Sequence, residues 1–384
     1  MRCLLLGAGM QARAIAHDLL NQTDLEELVV VEYDQTTLDS FLAQLDDSRV
    51  TFFLGDVRDL DLIGPLMGDA DVCISAVNYW YNADLTGLAI RGACHFVDLG
   101  GNNDIVAKQF AQHDAACAAG ITILPDCGLA PGLAGLLGWH LALGWDECER
   151  VELRVGGLPV EPKPPLNYMI VFAVQGLINE YIEPCQVIRD GVHMTVPGMS
   201  ELETLEFEGF GQLEAFQTSG GCSTLPQTLL GRVRNMDYKT IRYPGHCEQI
   251  RLLMDLGLTA SGTVPTPAGD VRPRDVLGPC LEAVCPKTGP DLVLLRAEAV
   301  GTIRGERKRR RIEIVDHEDT DMQLTAMMRM TGFPAAILAA MLARGDIDEP
   351  GARPQELVVP VERLIAELRN RAITITDSGL MPVD

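Results

Sequence analysis

A glycine-rich segment near the N-terminus has the residue types and the spacing that bind a dinucleotide. In "LLLGAGMQA", Gly7, Gly9 and Ala12 take the three small positions of the G-x-G-x-x-G/A pattern, with Met10 and Gln11 between them. Gly7 permits a tight turn, Gly9 lets the backbone approach a pyrophosphate, and Ala12 keeps the following helix close to the strand. Free N–H groups at a helix start attract phosphate oxygens. The segment therefore predicts a dinucleotide site, and a purely structural glycine turn is the alternative.

A carboxylate follows at the distance that this pattern requires. Glu32 ends the apolar run "ELVVVE", about 20 residues after the glycine turn. A carboxylate there accepts hydrogen bonds from the ribose hydroxyls and repels a 2′-phosphate, so we expect NAD rather than NADP. Asp34 is the alternative ribose partner, and Asp56 is expected near the adenine. The residues that end the fourth apolar run are expected on the nicotinamide side: Ser75, Ala76, Val77 and Asn78.

A second chemically suggestive segment is "ILPDCGLAPGL", which places Asp126 and Cys127 where another apolar run stops. Ligands of open α/β sheets bind outside the carboxyl ends of the strands, so a carboxylate here can face a ligand. The alternative is a turn or N-cap aspartate ahead of the helix that starts near Pro131, although Asp126 lies early for that role. Cys127 is expected to pack rather than to react.

The elements that position these residues follow from the apolar pattern. Over residues 1–125, six short runs rich in Leu, Val, Ile and Phe alternate with helix-like runs, and each run ends in Gly, Asp or a turn. Continuous apolar runs of this length are typical of parallel strands that are buried on both faces. The fold class is therefore α/β, with a doubly wound parallel Rossmann sheet.

The pattern changes near Glu149, where strand-like runs begin to follow one another, "LNYMIVFAV" among them, with helical segments between some of them. This order predicts an α+β substrate domain with a mostly antiparallel sheet. We expect the dinucleotide-binding domain over residues 1–130 and the α+β domain over 131–330. The C-terminal segment, 331–384, is expected to return to the Rossmann domain.

Composition excludes several classes of protein. The formal charge of −23 over 384 residues argues against a nucleic-acid surface. The basic segment "RGERKRRR", Arg304–Arg311, lies between two strand-like runs and is expected to be a solvated hairpin tip. Eleven scattered cysteines without a CxxC pair indicate reduced thiols and no metal site. With no membrane-length apolar run and no signal-like N-terminus, we expect a cytoplasmic protein without a membrane span.

Five segments, one of which is quoted above, resemble one family. They are Val155–Tyr168 ("VGGLPVEPKPPLNY"), Ile178–Gly191 ("INEYIEPCQVIRDG"), Thr240–His246 ("TIRYPGH"), Met328–Leu338 ("MRMTGFPAAIL") and "DCGLAPGL". Together they resemble the saccharopine dehydrogenase-like superfamily over nearly the whole chain, and within it the L-lysine 6-dehydrogenases. One departure is Asn78, which stands where relatives often have proline.

The resemblance implies an NAD(P)-dependent homodimer that acts on a carbon–nitrogen bond of a small amino-acid substrate. The first expectation is NAD-dependent oxidative deamination of the ε-amino group of L-lysine to the semialdehyde, which cyclises to piperideine-6-carboxylate. An opine-like saccharopine or carboxynorspermidine dehydrogenase, which forms or splits a secondary amine, is the second. A non-catalytic NAD-binding protein is the third.

Lysine oxidation needs a carboxylate near the amine, a cation near the α-carboxylate and a group that transfers protons. Asp126 is expected to hold the substrate amine. Arg242 is expected to clamp the carboxylate, with a strand-edge ion pair as the alternative. His246 is expected to shuttle a proton near neutral pH, with a structural role at a helix start as the alternative.

Three further residues complete the predicted site. Lys163 and Tyr168 flank the proline-stiffened loop "PPLNY", which can present side chains to a cleft, although Tyr168 is equally well explained as a core residue. Asp98 ends the fifth strand and is placed at the same cleft. Glu180 and Tyr181, on a predicted helix, rank below these.

Overall fold

The six apolar runs of the N-terminal part form parallel strands of one sheet. We describe the protein from a computed structural model over residues 1–45, 47–171, 173–267 and 269–383. The strands are β1 (Arg2–Leu6), β2 (Glu27–Glu32), β3 (Val50–Leu54), β4 (Val72–Ser75), β5 (His95–Asp98) and β6 (Thr122–Leu124). Their spatial order is β6-β5-β4-β1-β2-β3, the doubly wound arrangement with its switch point between β1 and β4. The predicted Rossmann sheet is confirmed.

Helices cover both faces of this sheet and leave the carboxyl ends of the strands open. They are α1 (Met10–Leu20), α2 (Gln35–Leu42), α3 (Leu60–Gly68), a 3₁₀ turn (Tyr79–Tyr81), α4 (Asn82–Gly92), α5 (Asn103–Phe110) and α6 (His113–Ala119). The strands β1 and β4 are almost wholly buried, because apolar side chains on both of their faces pack under helices.

The second part of the chain builds a mixed, mostly antiparallel sheet. Its strands in this part are β7 (Glu147–Pro159), β8 (Cys185–Arg189), β9 (Val192–Val196), β10 (Glu203–Phe207), β11 (Gly211–Gln217), β12 (Val233–Arg242), β15 (Asp291–Ile303) and β16 (Glu306–His317). A separate small hairpin consists of β13 (Val264–Thr266) and β14 (Gly269–Val271). The pair β7 and β12 is parallel, whereas β7 and β15 are antiparallel. The predicted mostly antiparallel sheet is confirmed.

Five helices belong to this part of the described chain, and the first of them, α7, packs on β7 and β15. They are α7 (Leu133–Ala142), α8 (Val174–Ile182), α9 (Leu225–Leu229), α10 (His246–Asp255) and α11 (Pro273–Val284).

One predicted strand, "LNYMIVFAV", is wrong. Its described residues up to Val171 form a turn and irregular chain, and α8 begins at Val174. Leu166, Tyr168 and Ile170 are apolar because they are buried in the cluster that includes residues of α8, α10 and α11. Burial against helices and pairing in a sheet favour the same residue types, so an apolar run alone does not separate them.

The basic hairpin tip is confirmed. β15 and β16 pair directly up to Ile303 and Glu306, with the exposed Arg304 in the turn. Arg307, farther along β16, forms an ion pair with Glu149. The basic segment is therefore a partly solvated hairpin whose charges are partly neutralised within the chain.

The C-terminal elements contact both sheets. They are α12 (Ala326–Ala343), β17 (Gly351–Ala352), α13 (Gln355–Val358), α14 (Val361–Asn370), β18 (Thr374–Asp377) and β19 (Met381–Pro382). β17 pairs with β6 and extends the Rossmann sheet, whereas β18 and β19 pair with β16. The segment expected to return to the Rossmann domain therefore also completes the second sheet.

The helix α12 is the central element between the two parts. Within the described chain it alone is long and apolar enough to cross a membrane, yet 83% of it is buried in the fold, as in a core helix. It packs on α1, β4 and β5 on one side and on β15 on the other. At Gly332 a Cβ atom would lie 2.6 Å from the Cβ of Ala14, so the absence of a side chain lets α12 approach α1 closely.

Candidate active site

The glycine loop has the geometry that a pyrophosphate requires. Gly7 has a φ of +95°, and a Cβ atom there would lie 3.0 Å from the carbonyl oxygen of Ala76. Gly9 begins α1, faces open space and leaves the helix start without a side-chain cap. The N-terminal N–H groups of α1 therefore have room for phosphate oxygens, and the cradle fits a dinucleotide.

The carboxylate of Glu32 lies against this loop. It accepts hydrogen bonds from the backbone N–H groups of Ala8 at 2.8 Å, Tyr33 at 2.9 Å and Asp34 at 3.0 Å. Asp34, the alternative ribose partner, caps α2 by accepting from the N–H of Thr37 at 2.7 Å. Of the two acids, Glu32 is therefore the one held beside the glycine turn.

Two other predicted cofactor residues are engaged within the protein. Asp56 accepts hydrogen bonds from the side chain of Arg58 at 2.9 Å, on the loop after β3. The hydroxyl of Ser75 donates to Asn82 Oδ1 at 2.7 Å and is fully buried. The side chain of Ser75 thus anchors the start of α4, and only the backbone of Ser75 remains available to contact a cofactor at the end of β4.

Some of the other predicted cofactor residues border a cavity. Gln11, Val77 and Asn78 line it, and the buried Oε1 of Gln11 has no hydrogen-bond partner among the described residues. Met10 is 48% exposed beside the loop, whereas Ala12 is fully buried. An unpartnered polar atom at this position indicates a ligand that completes its bonding.

The cavity has a volume of about 380 Å³ and lies between the carboxyl ends of the Rossmann strands and the second sheet. Among its described lining residues, Arg242 is the one cation, and Glu180 and Glu183 are the two acids. The other polar or hydrogen-bonding side chains on its wall are Gln11, Asn78, Tyr79, Trp80, Gln175, Asn179, Ser219, Tyr238, Thr240 and Thr331.

Arg242 is held in the wall by aromatic and backbone groups. Its Nε donates to Tyr181 Oη at 3.3 Å, its Nη1 donates to the carbonyl of Ile241 at 2.9 Å, and its guanidinium carbon lies 5.0 Å from the ring centroid of Tyr168. The residue is 3% exposed and, among the described acids, has none within 4.0 Å. A buried guanidinium without a carboxylate is a strong candidate to bind an anion.

Glu180 and Glu183 face the same space from α8 and the residue that follows it. Burial raises the pKa of Glu180 to about 7, while the charge of Arg242 opposes this shift and that of Glu183 adds to it. Glu183 accepts a hydrogen bond from the hydroxyl of Ser219 at 3.3 Å. The cavity thus combines one anion-binding group with two carboxyl groups that can hold or deprotonate an amine.

The expectation that Asp126 faces the cleft is wrong. Its side chain is 1% exposed and is absent from the described cavity wall. It accepts hydrogen bonds from the N–H of Gly101 at 3.3 Å and from the hydroxyl of Ser223. The loop after β5 crosses directly above it, since a Cβ atom at Gly100 would lie 1.7 Å from Asp126 Oδ1.

Asp98 likewise lies behind the wall rather than at the cleft. It is fully buried and accepts hydrogen bonds from the N–H groups of Gly100 at 2.8 Å and Asp126 at 3.1 Å and from Gln109 Nε2 at 2.7 Å. Burial raises the pKa of both aspartates. They form a buried carboxyl pair that fixes the loops beneath the cavity.

His246 does not titrate near neutral pH, contrary to the prediction. Burial and the charge of Arg242 lower its pKa to about 3. Its Nε2 lies 2.9 Å from Tyr181 Oη and its Nδ1 lies 3.0 Å from the carbonyl of Leu166. The neutral ring therefore positions Tyr181, which in turn receives the Nε hydrogen bond of Arg242.

The proline-stiffened loop contributes no side chain to the described cavity wall. Lys163 is exposed on the surface. Tyr168 is 2% exposed and packs under Arg242 and beside His246, with ring centroids 5.5 Å apart in the latter pair. Of the six predicted catalytic and substrate-binding residues, Arg242 reaches the cavity, and Tyr168 and His246 support it from behind.

Several residues that line the cavity were not proposed from the sequence, although the spacing of some of them along the chain could have identified them. Tyr238, Thr240 and Arg242 alternate along β12 and share one face of it, as period-two spacing requires. Glu180, named from the sequence but ranked low, lies on the predicted helix α8, and Glu183 follows three residues later, directly after the helix. Counting back from Arg242 in steps of two residues would have identified Thr240 and Tyr238 as cavity residues.

Comparisons with known proteins agree with this architecture. The family model described as "Saccharopine dehydrogenase NADP binding domain" matches residues 3–124, and that described as "Saccharopine dehydrogenase C-terminal domain" matches residues 128–373. The chain belongs to the saccharopine dehydrogenase family. This is a family of NAD(P)-dependent oxidoreductases. The predicted resemblance is confirmed at this level, and the narrower resemblance to L-lysine 6-dehydrogenases stays a prediction.

Two relatives from Saccharomyces cerevisiae are similar to the chain. A curated saccharopine dehydrogenase [NADP(+), L-glutamate-forming] is 24% identical over 277 residues, which cover 66% of this chain and 58% of the relative's length. The solved apo structure of a saccharopine dehydrogenase (L-Glu forming) superposes with a TM-score of 0.80 at 18% identity, covering 98% of this chain and 100% of that one. The second match shows a common fold, and NADP appears in the printed names of the curated relative and of the N-terminal family model.

Proposed function

We propose that this protein is an NAD-dependent dehydrogenase that oxidises the ε-amine of L-lysine. The single observation that carries the proposal is the charge composition of the cavity, with Arg242 as its one described cation and Glu180 and Glu183 as its two acids. Lysine carries one carboxylate and two amines, which matches this wall. The position of Arg242, without an ion-pair partner among the described residues, favours a substrate that brings its own carboxylate.

In this proposal each end of the substrate has a partner. Arg242 binds the α-carboxylate by a charge-assisted hydrogen bond, since the guanidinium fork matches a carboxylate. The carboxyl groups at the end of α8 hold the amines, and the amide of Asn179 and the hydroxyl of Thr240 supply further hydrogen bonds from the wall. Fixing both ends orients the ε-carbon, which contributes to the rate by positioning.

The proposed reaction converts lysine and water into the semialdehyde and ammonium. The ε-ammonium loses a proton, the ε-carbon loses a hydride as a carbon–nitrogen double bond forms, and water then replaces the nitrogen. A bound nicotinamide supplies the acceptor for the two electrons. The glycine loop with Gly7 and Gly9 would hold its pyrophosphate, and the loop after β4 would border its reactive ring.

The preference for NAD is a separate part of the proposal. Glu32 is supported by its position at the end of β2 and by the hydrogen bond that it accepts from Ala8 in the glycine loop, with two more from the backbone of Tyr33 and Asp34. A fixed carboxylate there accepts from ribose hydroxyls and repels a 2′-phosphate. The comparisons, whose printed names carry NADP, favour the opposite preference.

A saccharopine-type reaction is the second candidate, because the curated relative acts as a saccharopine dehydrogenase. Saccharopine carries three carboxylates, and the described wall offers one cation for them. Amides and hydroxyls such as those of Gln175 and Ser219 would have to bind the others. This mismatch places the lysine reaction first. The homodimer and the cytoplasmic location stay predictions.

The test is a set of initial rates of nicotinamide reduction with lysine, ornithine, saccharopine and carboxynorspermidine, each with NAD and with NADP. The proposal expects lysine with NAD to have the highest kcat/KM. Turnover of a conjugate without turnover of lysine would overturn it in favour of the second candidate.

A further inference from the structure

Glu180, which the sequence ranked below the other candidates, lines the cavity. It lies on α8, whose opposite face is anchored in a buried cluster by Leu177, Ile178 and Tyr181. This packing fixes the helix rotation and turns Glu180 toward the cavity that Arg242 also lines. The carboxyl group is thus placed by a packed helix rather than by a mobile loop.

The carboxyl group of Glu180 has no hydrogen bond or ion pair with the described residues, whereas Glu183 is bonded to Ser219. The titratable groups that face it are Glu183, Tyr181, Arg242 and Tyr238 on α8 and β12, and Tyr168 on the loop before α8. Burial raises its pKa to about 7. An acid without a protein partner, balanced between its two states near neutral pH, is suited to proton transfer.

The other titratable groups near the site are unsuited to this task. Asp98 and Asp126 are sealed beneath the loop after β5, and His246 stays neutral. Burial raises the pKa of Tyr238 and of Tyr168 far above neutral pH. Of the two acids on the cavity wall, Glu183 already accepts a hydrogen bond from Ser219, whereas Glu180 has no hydrogen-bond partner among the described residues. Glu180 is therefore the stronger candidate.

We propose that Glu180 is the catalytic base that removes a proton from the substrate amine. The inference rests on the proposed function. The N–H bond of the ε-ammonium breaks and its proton moves to a carboxylate oxygen of Glu180. The freed lone pair then forms the carbon–nitrogen double bond as the hydride leaves the ε-carbon for the nicotinamide. Water then adds to the carbon of the iminium and releases one proton to solvent. The protonated Glu180 returns its proton to the amine nitrogen, so that the carbon–nitrogen bond breaks and ammonium leaves as the aldehyde forms.

The first test compares Glu180→Gln with the wild type in steady-state kinetics. The glutamine keeps the size and cannot accept the proton. We expect kcat to fall by about 100-fold or more, with KM for lysine changed much less and the Kd for the nucleotide unchanged. In the wild type, kcat should rise with pH through about 7 as Glu180 ionises, and the variant should lose this limb.

A second readout needs no turnover. Difference infrared spectroscopy of the protein should show protonated carboxyl absorption that decreases as the pH rises through about 7. Asp98 and Asp126 also contribute to this absorption, so the band of Glu180 is the part that the wild type shows and Glu180→Gln lacks. The matched control is Glu248→Gln, on the exposed side of α10 and outside the described cavity wall, which should keep both the rate and the band.

Near-normal kcat in Glu180→Gln, or a pH limb that survives in it, would overturn the role of Glu180 while leaving the dehydrogenase function in place. A wild type that oxidises no amine with either nucleotide would overturn the proposed function, and the catalytic role of Glu180 with it. The infrared measurement tests the protonation of Glu180 without turnover, and the kinetic measurement tests the reaction itself.

Discussion

The guanidinium carbon of Arg242 lies 5.0 Å from the centroid of the Tyr168 ring. The arginine is thus held by an aromatic face, by Tyr181 and by a backbone carbonyl rather than by an acid. Its positive charge stays available to a ligand, since a cation–π contact does not neutralise it. This arrangement explains how a buried arginine can be positioned in advance for a substrate carboxylate.

Replacing Arg242 should weaken substrate binding and leave nucleotide binding intact. Arg242→Gln removes the charge, and a hydrogen bond to a charged group is worth about 1.5–3 kcal/mol, so KM for lysine should rise roughly 10- to 100-fold. Arg242→Lys should recover part of the loss, because it restores the charge without the fork. Steady-state kinetics and nucleotide titration measure both quantities.

The matched control for this change is Arg232→Gln. Arg232 also lies over an aromatic ring, at 5.2 Å from Trp139, but it is exposed and is not among the residues described as lining the cavity. Arg232→Gln should therefore leave KM for lysine unchanged. An equal KM increase in both variants would contradict a substrate role for Arg242.

Glu32→Gln should shift nucleotide preference toward NADP. The amide keeps one acceptor oxygen for the backbone N–H groups while removing the charge that repels a 2′-phosphate. We expect the Kd for NADP to fall and that for NAD to change little, as measured by protein-fluorescence titration. Asp34→Asn, at the cap of α2, is the control and should leave the ratio unchanged. A wild type that binds NADP more tightly than NAD would refute the assignment.

Gly332→Ala should damage both stability and nucleotide binding. A Cβ atom there would lie 2.6 Å from Ala14 Cβ and 3.1 Å from the carbonyl oxygen of Gln11, so α12 would push on the helix that starts at the glycine loop. Thermal unfolding and nucleotide titration test this. Gly135→Ala is the control, because its Cβ meets nothing within 4 Å; it should stabilise by about 0.4–1 kcal/mol. Equal melting temperatures of the two variants would contradict the close approach.

Asp126→Asn should flatten the pH dependence of stability. Burial raises the folded-state pKa of Asp98 and Asp126 above the ordinary value of 3.8. The folded protein then holds protons that the unfolded chain releases, so this pair's contribution is most favourable at low pH and is lost as the pH rises toward neutral. Urea unfolding at about pH 4 and about pH 7 should show a smaller loss in the variant than in the wild type. An equal or larger loss in the variant would argue against the buried pair.

Local patterns in the sequence were sufficient for the nucleotide-binding half of the fold. The glycine loop, the ends of the strands and the position of Glu32 can be predicted from nearby residues, because glycine spacing and short apolar runs identify them. Arg242 could be proposed because it ends a strand in a distinctive segment. These features require no knowledge of how distant parts of the chain meet.

The remaining errors come from long-range packing. Asp126 lies two residues beyond the end of β6, close to the expected position, but whether its side chain meets the cleft depends on the Gly100–Gly101 loop that crosses above it. Glu180 was ranked low because the rotation of α8 is fixed by a cluster with α10 and α11. The apolar residues from Leu166 to Val171 pack in that region as irregular chain, and no local pattern distinguishes this from a strand.

The most direct test of the central claim follows the ε-nitrogen of lysine. The wild-type protein is incubated with NAD and with L-lysine that carries heavy nitrogen at the ε-position, and labelled ammonium and NADH are measured together. We predict one labelled ammonium for each NADH formed, with both products forming much more slowly in Glu180→Gln. Absence of labelled ammonium from lysine, together with nicotinamide reduction from saccharopine, would contradict it.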